Sequence, residues 1–149
     1  MVSVQKMLEQ MRAEGSTDPF SINRGLLYMQ WNDEGPHTEA TLKVYVDDRE
    51  VHVAGDGVGP IDALNNALRK GVAALFPGIQ EVNLYDYHVD LIKEADNMSP
   101  SGVVQSTAKF HCRGEHWVSV AEHTNQDYAG WMAIVDAYIL AVMLHPQST

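Results

Sequence analysis

Apolar positions along this chain switch between a period of two and a period near three and a half, and the switches mark its elements. Val4, Met7, Leu8 and Met11 fall at helical spacing and predict a short amphipathic helix over 3–14 that stops near Gly15. Residues 16–19 are turn formers. Leu27, Met29 and Trp31 alternate and predict a strand over 21–31, and N-D-E-G-P-H over 32–37 reads as a turn or loop. Ala40, Leu42, Val44 and Val46 alternate with Thr41, Lys43 and Tyr45, the signature of a strand with one buried face. Asp47 and Asp48 turn the chain into a third strand over 50–54, carried by Val51 and Val53. The period then changes. Ile61, Leu64, Leu68, Val72 and Leu75 form one helical stripe, stopped by Phe76, Pro77 and Gly78.

The second half repeats this order. A strand rich in Tyr and Val covers 82–92, and its apolar phase shifts around Asp86, which predicts a bulge or two covered faces. A Ser/Pro/Gly loop over 96–102 is expected to be mobile. Val104, Ala108, Phe110 and Cys112 share one parity, Arg113 and Gly114 make a hairpin turn, and 117–121 returns. A final helix over 126–144 carries Tyr128, Trp131, Val135, Tyr138 and Val142 on one stripe. Ile134, Ile139 and Met143 widen that stripe, so the helix is expected to be covered on two sides.

Setting each residue against the one 66 places later superposes Thr41 on Thr107, Asp48 on Gly114, Ala63 on Ala129 and Leu68 on Ile134. The pattern predicts an α+β fold built from a duplicated strand-strand-strand-helix unit. Two antiparallel three-stranded sheets would pack around two helices, with an extra N-terminal helix. The expected boundaries are 1–20 for that helix and its connector, 21–78 for repeat one and 79–145 for repeat two, the duplicated domain occupying 21–149. The two helix starts, after Gly59 and after Thr124 and Asn125, would hold equivalent places.

Between strand and helix in repeat one stand Gly55, Gly57 and Gly59, followed directly by Pro60. Proline suits a first helical position because its missing N–H has no partner there anyway. A bare helix start behind glycines presents N–H groups and positive dipole to an anion. The same run also serves as a plain strand-to-helix turn, and the motif alone leaves both readings open.

Composition narrows the classes. The chain has 149 residues, room for one domain with a real core, and 20 acidic against 10 basic residues. Such a charge repels nucleic acid and anionic membrane, so neither is an expected partner. The single Cys112 excludes an internal disulfide and suits a reducing cytoplasm. No apolar run approaches the roughly 20 residues of a membrane span, and the N-terminus has no signal-peptide core.

Several stretches carry a family resemblance. E-A-T-L-K-V, G-D-G-V-G-P-I-D-A-L-N-N-A-L-R-K-G and L-Y-D-Y-H-V resemble the C-terminal regulatory domain of the 2-isopropylmalate and citramalate synthases. W-V-S-V-A-E-H-T-N-Q-D-Y-A-G-W-M-A-I-V-D-A is similar to the citramalate branch in particular, and the likeness spans nearly the whole chain. The resemblance implies two strand-strand-strand-helix units, a homodimer, and binding of leucine or isoleucine that feeds back on a catalytic barrel. It departs at two points. Val58 stands where the family commonly has asparagine, and Gln126, Asp127, Tyr128, Ala129 and Gly130 replace an I-I-E-A-S helix start. The family's barrel holds a divalent metal through an aspartate and a His-x-His pair, and this sequence has no His-x-His. A chain this short also cannot hold a barrel of roughly 250 residues. The expectation is a non-catalytic module without cofactor, acting on a synthase in cis or in trans.

An amino-acid effector presents a carboxylate, an ammonium and an apolar side chain. On the resemblance, the N–H groups of Gly57, Val58 and Gly59 would take the carboxylate, and Asp56, Asp62 or Asp127 the ammonium. Ile61 and Ala63 would line the side-chain slot, and Thr124 and Asn125 would complete the site. The other reading is an assembly domain that has lost or changed its effector site.

Remaining constellations are read as structural. Among seven histidines, His52, His111 and His116 lie on or beside neighbouring strands, so two could approach, but no Cys/His spacing matches a zinc motif and no metal ligand is expected. Cys112 with a histidine and Asp86 or Asp136 has the makings of a nucleophile triad, yet its parity with Ala108 and Phe110 reads as a small buried side chain. Asp33 with Glu34, and the acidic residues within 47–50, read as solvated turns. Tyr128, Trp131 and Tyr138 read as core or interface.

Overall fold

A computed structural model describes residues 1–93 and 102–146. The order of elements is β1 (Val2–Ser3), α1 (Val4–Ala13), β2 (Ser21–Asn32), β3 (Gly35–Val46), β4 (Arg49–Gly57), α2 (Pro60–Leu75), a 3-10 turn (Pro77–Glu81), β5 (Val82–Lys93), β6 (Val103–Cys112), β7 (Glu115–His123) and α3 (Gln126–Leu144). This is the duplicated βββα arrangement of an α+β protein. The expected loop over 96–102 falls almost wholly outside the described residues.

The chain forms two compact units, one of residues 18–80 and 141–149 and the other of residues 1–17 and 81–140. In the first, β2, β3 and β4 make an antiparallel sheet in that order. Thr38, Ala40, Leu42 and Val44 on β3 are buried while the residues between them are more exposed, so one face of the sheet is core. Helix α2 covers β3 and β4 on that face, burying Ala63, Leu64, Ala67, Leu68 and Val72. The stripe read from the sequence holds at Leu64, Leu68 and Val72 and is widened by Ala63 and Ala67, which are fully buried, whereas Ile61 and Leu75 sit at its margin. Small residues bring helix and sheet close, and a hydropathy stripe undervalues them. Strand β4 also runs three residues past its expected end, through Gly55 to Gly57.

In the second unit the sheet order is β1, β7, β6, β5. The bulge expected near Asp86 is present, between Leu84 and Asp86. Arg113 and Gly114 both adopt positive φ and close the β6–β7 hairpin, as their sequence suggests. One feature was not announced by any periodicity. Val2 and Ser3 pair parallel with Trp117 and Val118, adding a fourth short strand to a sheet expected to have three. Two residues carry no readable period. Helix α1 follows at once, capped by the Ser3 hydroxyl on the Lys6 N–H, and buries Val4 and Leu8.

Helix α3 packs on β6 and β7. The Phe110 and Tyr138 rings meet edge to face, 6.2 Å apart, and the Ser119 hydroxyl donates to the Ala133 carbonyl at 2.6 Å. Residues 137–142 are buried without interruption, so this stretch has no solvent face, in keeping with its wide apolar arc. The helix corrects one expectation. Its 19 residues are long and apolar enough to cross a membrane by length and composition, although Asp127 and Asp136 interrupt any continuous apolar run. Over half of it is buried within the protein, as in the core helix of a globular domain.

Candidate effector site

The start of α2 is shaped by the two glycines that precede it in β4. A Cβ on Gly55 would lie 2.4 Å from the Ala67 nitrogen, and one on Gly57 would lie 2.4 Å from the Ala63 nitrogen. Only hydrogen fits in either place, so these glycines let strand and helix touch. The contact is pinned by side chains. Asn66 donates to the Asp56 carbonyl at 2.8 Å and Lys70 to the Ala54 carbonyl at 3.0 Å, covering acceptors on the edge strand β4.

Gly59 differs from both. Nothing lies within 4 Å of where its Cβ would be, and its φ of −140° is extended backbone that any residue adopts. It is the N-cap of α2, its carbonyl accepts from the Ala63 N–H at 3.1 Å, and it has no side chain to cap the first turn. Pro60 supplies no N–H. The N–H groups of Ile61 and Asp62 therefore receive no side-chain cap, and the only acidic side chain in the first turn is that of Asp62.

Around this opening, Val58 is 81% exposed, Asp62 is exposed, Ile61 is half-buried and Ala63 is buried. Asp56 points away. Gly55 and Gly57 face α2, so the residue between them projects from the opposite face of the sheet, where its carboxylate lies 3.8 Å from His37. On the helix side, Thr38 stands opposite Gly57, is 1% exposed, and its hydroxyl has no hydrogen-bond partner. Its alternation with Ala40, Leu42 and Val44 was visible in the sequence and would have placed it here.

The other candidate residues stand at the start of α3, in the other unit. Asn125 is the counterpart of Gly59, but its functional groups are already engaged. Its side-chain oxygen accepts from the Tyr128 N–H at 2.9 Å, and its own N–H donates to His123 Nδ1 at 2.9 Å. The His123 ring in turn packs on Tyr128, 4.9 Å between centroids. Thr124 and Asp127 are exposed. Asp127 acts on Tyr87, whose phenol is held above its ordinary pKa first by burial and then by this carboxylate, against a 3.1 Å hydrogen bond with Ser106. The structure thus gathers Gly57, Val58, Gly59, Ile61, Asp62 and Ala63 around one open helix start, and Thr124, Asn125 and Asp127 around one that caps itself.

Other groups meet elsewhere. His111 and His116 do approach, at 4.5 Å between ring centroids, with Tyr85 stacked on His111. Cys112 is buried, and that burial raises its pKa, so the thiol is the small core residue its parity indicated and a poor nucleophile. His37, Glu39 and Asp56 bring ligand atoms within 4.8 Å of one another on the outer face of the first sheet. All three are exposed, and their sequence spacing gave no sign of the cluster because two strands assemble it.

Two repeated units, each opening its helix directly after its third strand, define a duplicated βββα domain with paired helix starts. The chain belongs to the LeuA allosteric (dimerisation) domain family, which it matches over residues 5–141. It is 32% identical over 124 residues to an (R)-citramalate synthase of Aquifex aeolicus, covering 83% of this chain and 23% of that protein. It is 31% identical over 105 residues to the (R)-citramalate synthase of Geobacter sulfurreducens, covering 70% and 20%. For the (R)-citramalate synthase of Streptomyces coelicolor the identity is 28% over 138 residues, covering 89% and 25%. The likeness to the regulatory domain of the citramalate branch therefore holds, and the chain spans about a quarter or less of these relatives' length.

Proposed function

We propose that this chain is a non-catalytic allosteric module that binds a branched-chain amino acid, isoleucine or leucine, and in response modulates a citramalate synthase-type catalytic domain in cis or in trans. Its proposed place of work is the cytoplasm, whose reducing conditions suit the single free thiol of Cys112. The observation that carries the reading is the uncapped start of α2 beside a buried hydroxyl without a partner. A carboxylate seated on the Ile61 and Asp62 N–H groups, reached past Gly59, gains the helix dipole, worth about 0.3–1 kcal/mol. Thr38 would supply the polar contact its burial otherwise leaves unmade. Asp62 answers the ammonium, and Ile61 with Ala63 bounds the aliphatic side chain.

Gly59→Asp tests this directly. The aspartate would cap α2 with its own carboxylate, occupying the N–H groups without steric conflict. Calorimetry should show isoleucine or leucine binding to the wild type and not to Gly59→Asp, with the variant's thermal midpoint equal or higher. If the wild type gives no heat with either amino acid in the millimolar range, the effector reading fails. The assembly-domain reading then stands, and the exposed, apolar Val58 at the mouth of the site is the observation that favours it.

A further inference from the structure

The outer face of the first sheet, opposite α2, carries a groove of about 310 Å³ lined by Arg24, Leu26, Tyr28, Thr41, Lys43 and His52. Three features of it are unexplained by folding. First, Arg24 and Lys43 are direct cross-strand partners, and so are Lys43 and His52, so two fixed cations and an imidazole stand in one row. Like charges placed directly opposite destabilise a sheet. A chain with only 10 basic residues against 20 acidic ones has little need to gather them. Second, Arg24 and His52 have no hydrogen-bond or ion-pair partner among the described residues, and Lys43 meets only Glu50, at 3.6 Å on the surface. Such an exposed pair contributes little and is readily displaced. Third, the register slips between Ile22 and Arg24, a bulge that sets the direction of Arg24 at the end of the row.

We infer that this groove binds a small organic dianion, a short dicarboxylate, at a site distinct from the start of α2. The Arg24 guanidinium offers a planar pair of donors to one carboxylate, and Lys43 with His52 offers donors to the other. Leu26 and Tyr28 form an apolar wall along the carbon chain, and Thr41 adds a hydroxyl between them. Phosphate shares the charge but has no carbon chain for that wall to meet.

Succinate titrated into the intact chain, followed by amide and Arg side-chain NMR signals, reads the site. Saturable shifts in Arg24, Thr41, Lys43 and His52 are expected, with butanoate and inorganic phosphate each binding more weakly. Arg24→Gln and Lys43→Gln should each weaken succinate about tenfold or more, since each removes a charge-assisted bond. Neither side chain is buried and each faces a like charge across the strands, so the thermal midpoint should not fall. Asp56→Asn, on the same face outside the groove, and Gly59→Asp, at the α2 start, should leave succinate binding intact, so this site and the effector site fail separately. Absence of saturable shifts in the millimolar range, unchanged binding in Arg24→Gln, or phosphate binding as tightly as succinate would overturn the inference.

Discussion

Three glycines at alternate positions look like one motif, but space separates them into two roles. Gly55 and Gly57 meet helix backbone where a methyl group would stand, and a backbone cannot swing aside as a side-chain tip can. Gly59 meets nothing and shapes only the chemistry of the helix start. Gly57→Ala should therefore cost about 2–3 kcal/mol of stability, the upper range for overpacking. Gly59→Ala gives up only the preference of an N-cap for glycine over alanine and should cost less, about 0.5–1 kcal/mol. Urea unfolding of the two variants decides it, and equal losses would mean that the close approach does not govern the turn. The sequence displayed all three glycines but not what lies above each, because the helix that crowds two of them belongs to a later stretch of chain.

At the scale of elements, what was legible is what repeats locally. Alternation in β3 and β6, the phase shift near Asp86, the hairpin at Arg113 and Gly114, and α3 to its end residues all follow from periods of two or 3.6. What was hidden depends on partners far along the chain. The N-terminal helix, read as standing outside the repeat, is fastened to the second unit by Gln5. Its carboxamide oxygen accepts from the Val120 N–H at 2.8 Å, and its nitrogen donates to Ser119 at 2.9 Å and to Asp136 at 3.1 Å. After β1 ends opposite Val118, this side chain continues the sheet edge as a backbone amide would. Gln5→Ala should leave the Val120 N–H without its acceptor and cost about 1–3 kcal/mol. Hydrogen exchange should rise at Val120 in particular. Unchanged protection there would show that β1 alone seals the edge.

For the whole molecule the open question is where a second copy would sit. The wide apolar face of α3 pointed to the helices or the sheet edges, and from Ala137 to Val142 that helix is already buried within one chain. Exposed apolar surface collects on β2 instead. Leu27, Met29 and Trp31 share the core face of their sheet, yet α2 packs chiefly on β3 and β4, and the three are 38%, 53% and 76% exposed. Strand β2 is also an edge strand, with one side unpaired among the described residues. An isolated protein seldom leaves a long apolar edge uncovered, because it templates association. In a family described as a dimerisation domain, association through β2 is the economical reading. Trp31→Lys combined with Met29→Lys should weaken self-association by at least about 2 kcal/mol, the loss typical of a central interface anchor. Neither side chain is buried in the single chain, so circular dichroism and the unfolding slope should be unchanged. Sedimentation equilibrium of wild type and double variant over a micromolar concentration range measures the difference. A wild type that is monomeric throughout, or a dimer indifferent to both lysines, would move the interface away from β2.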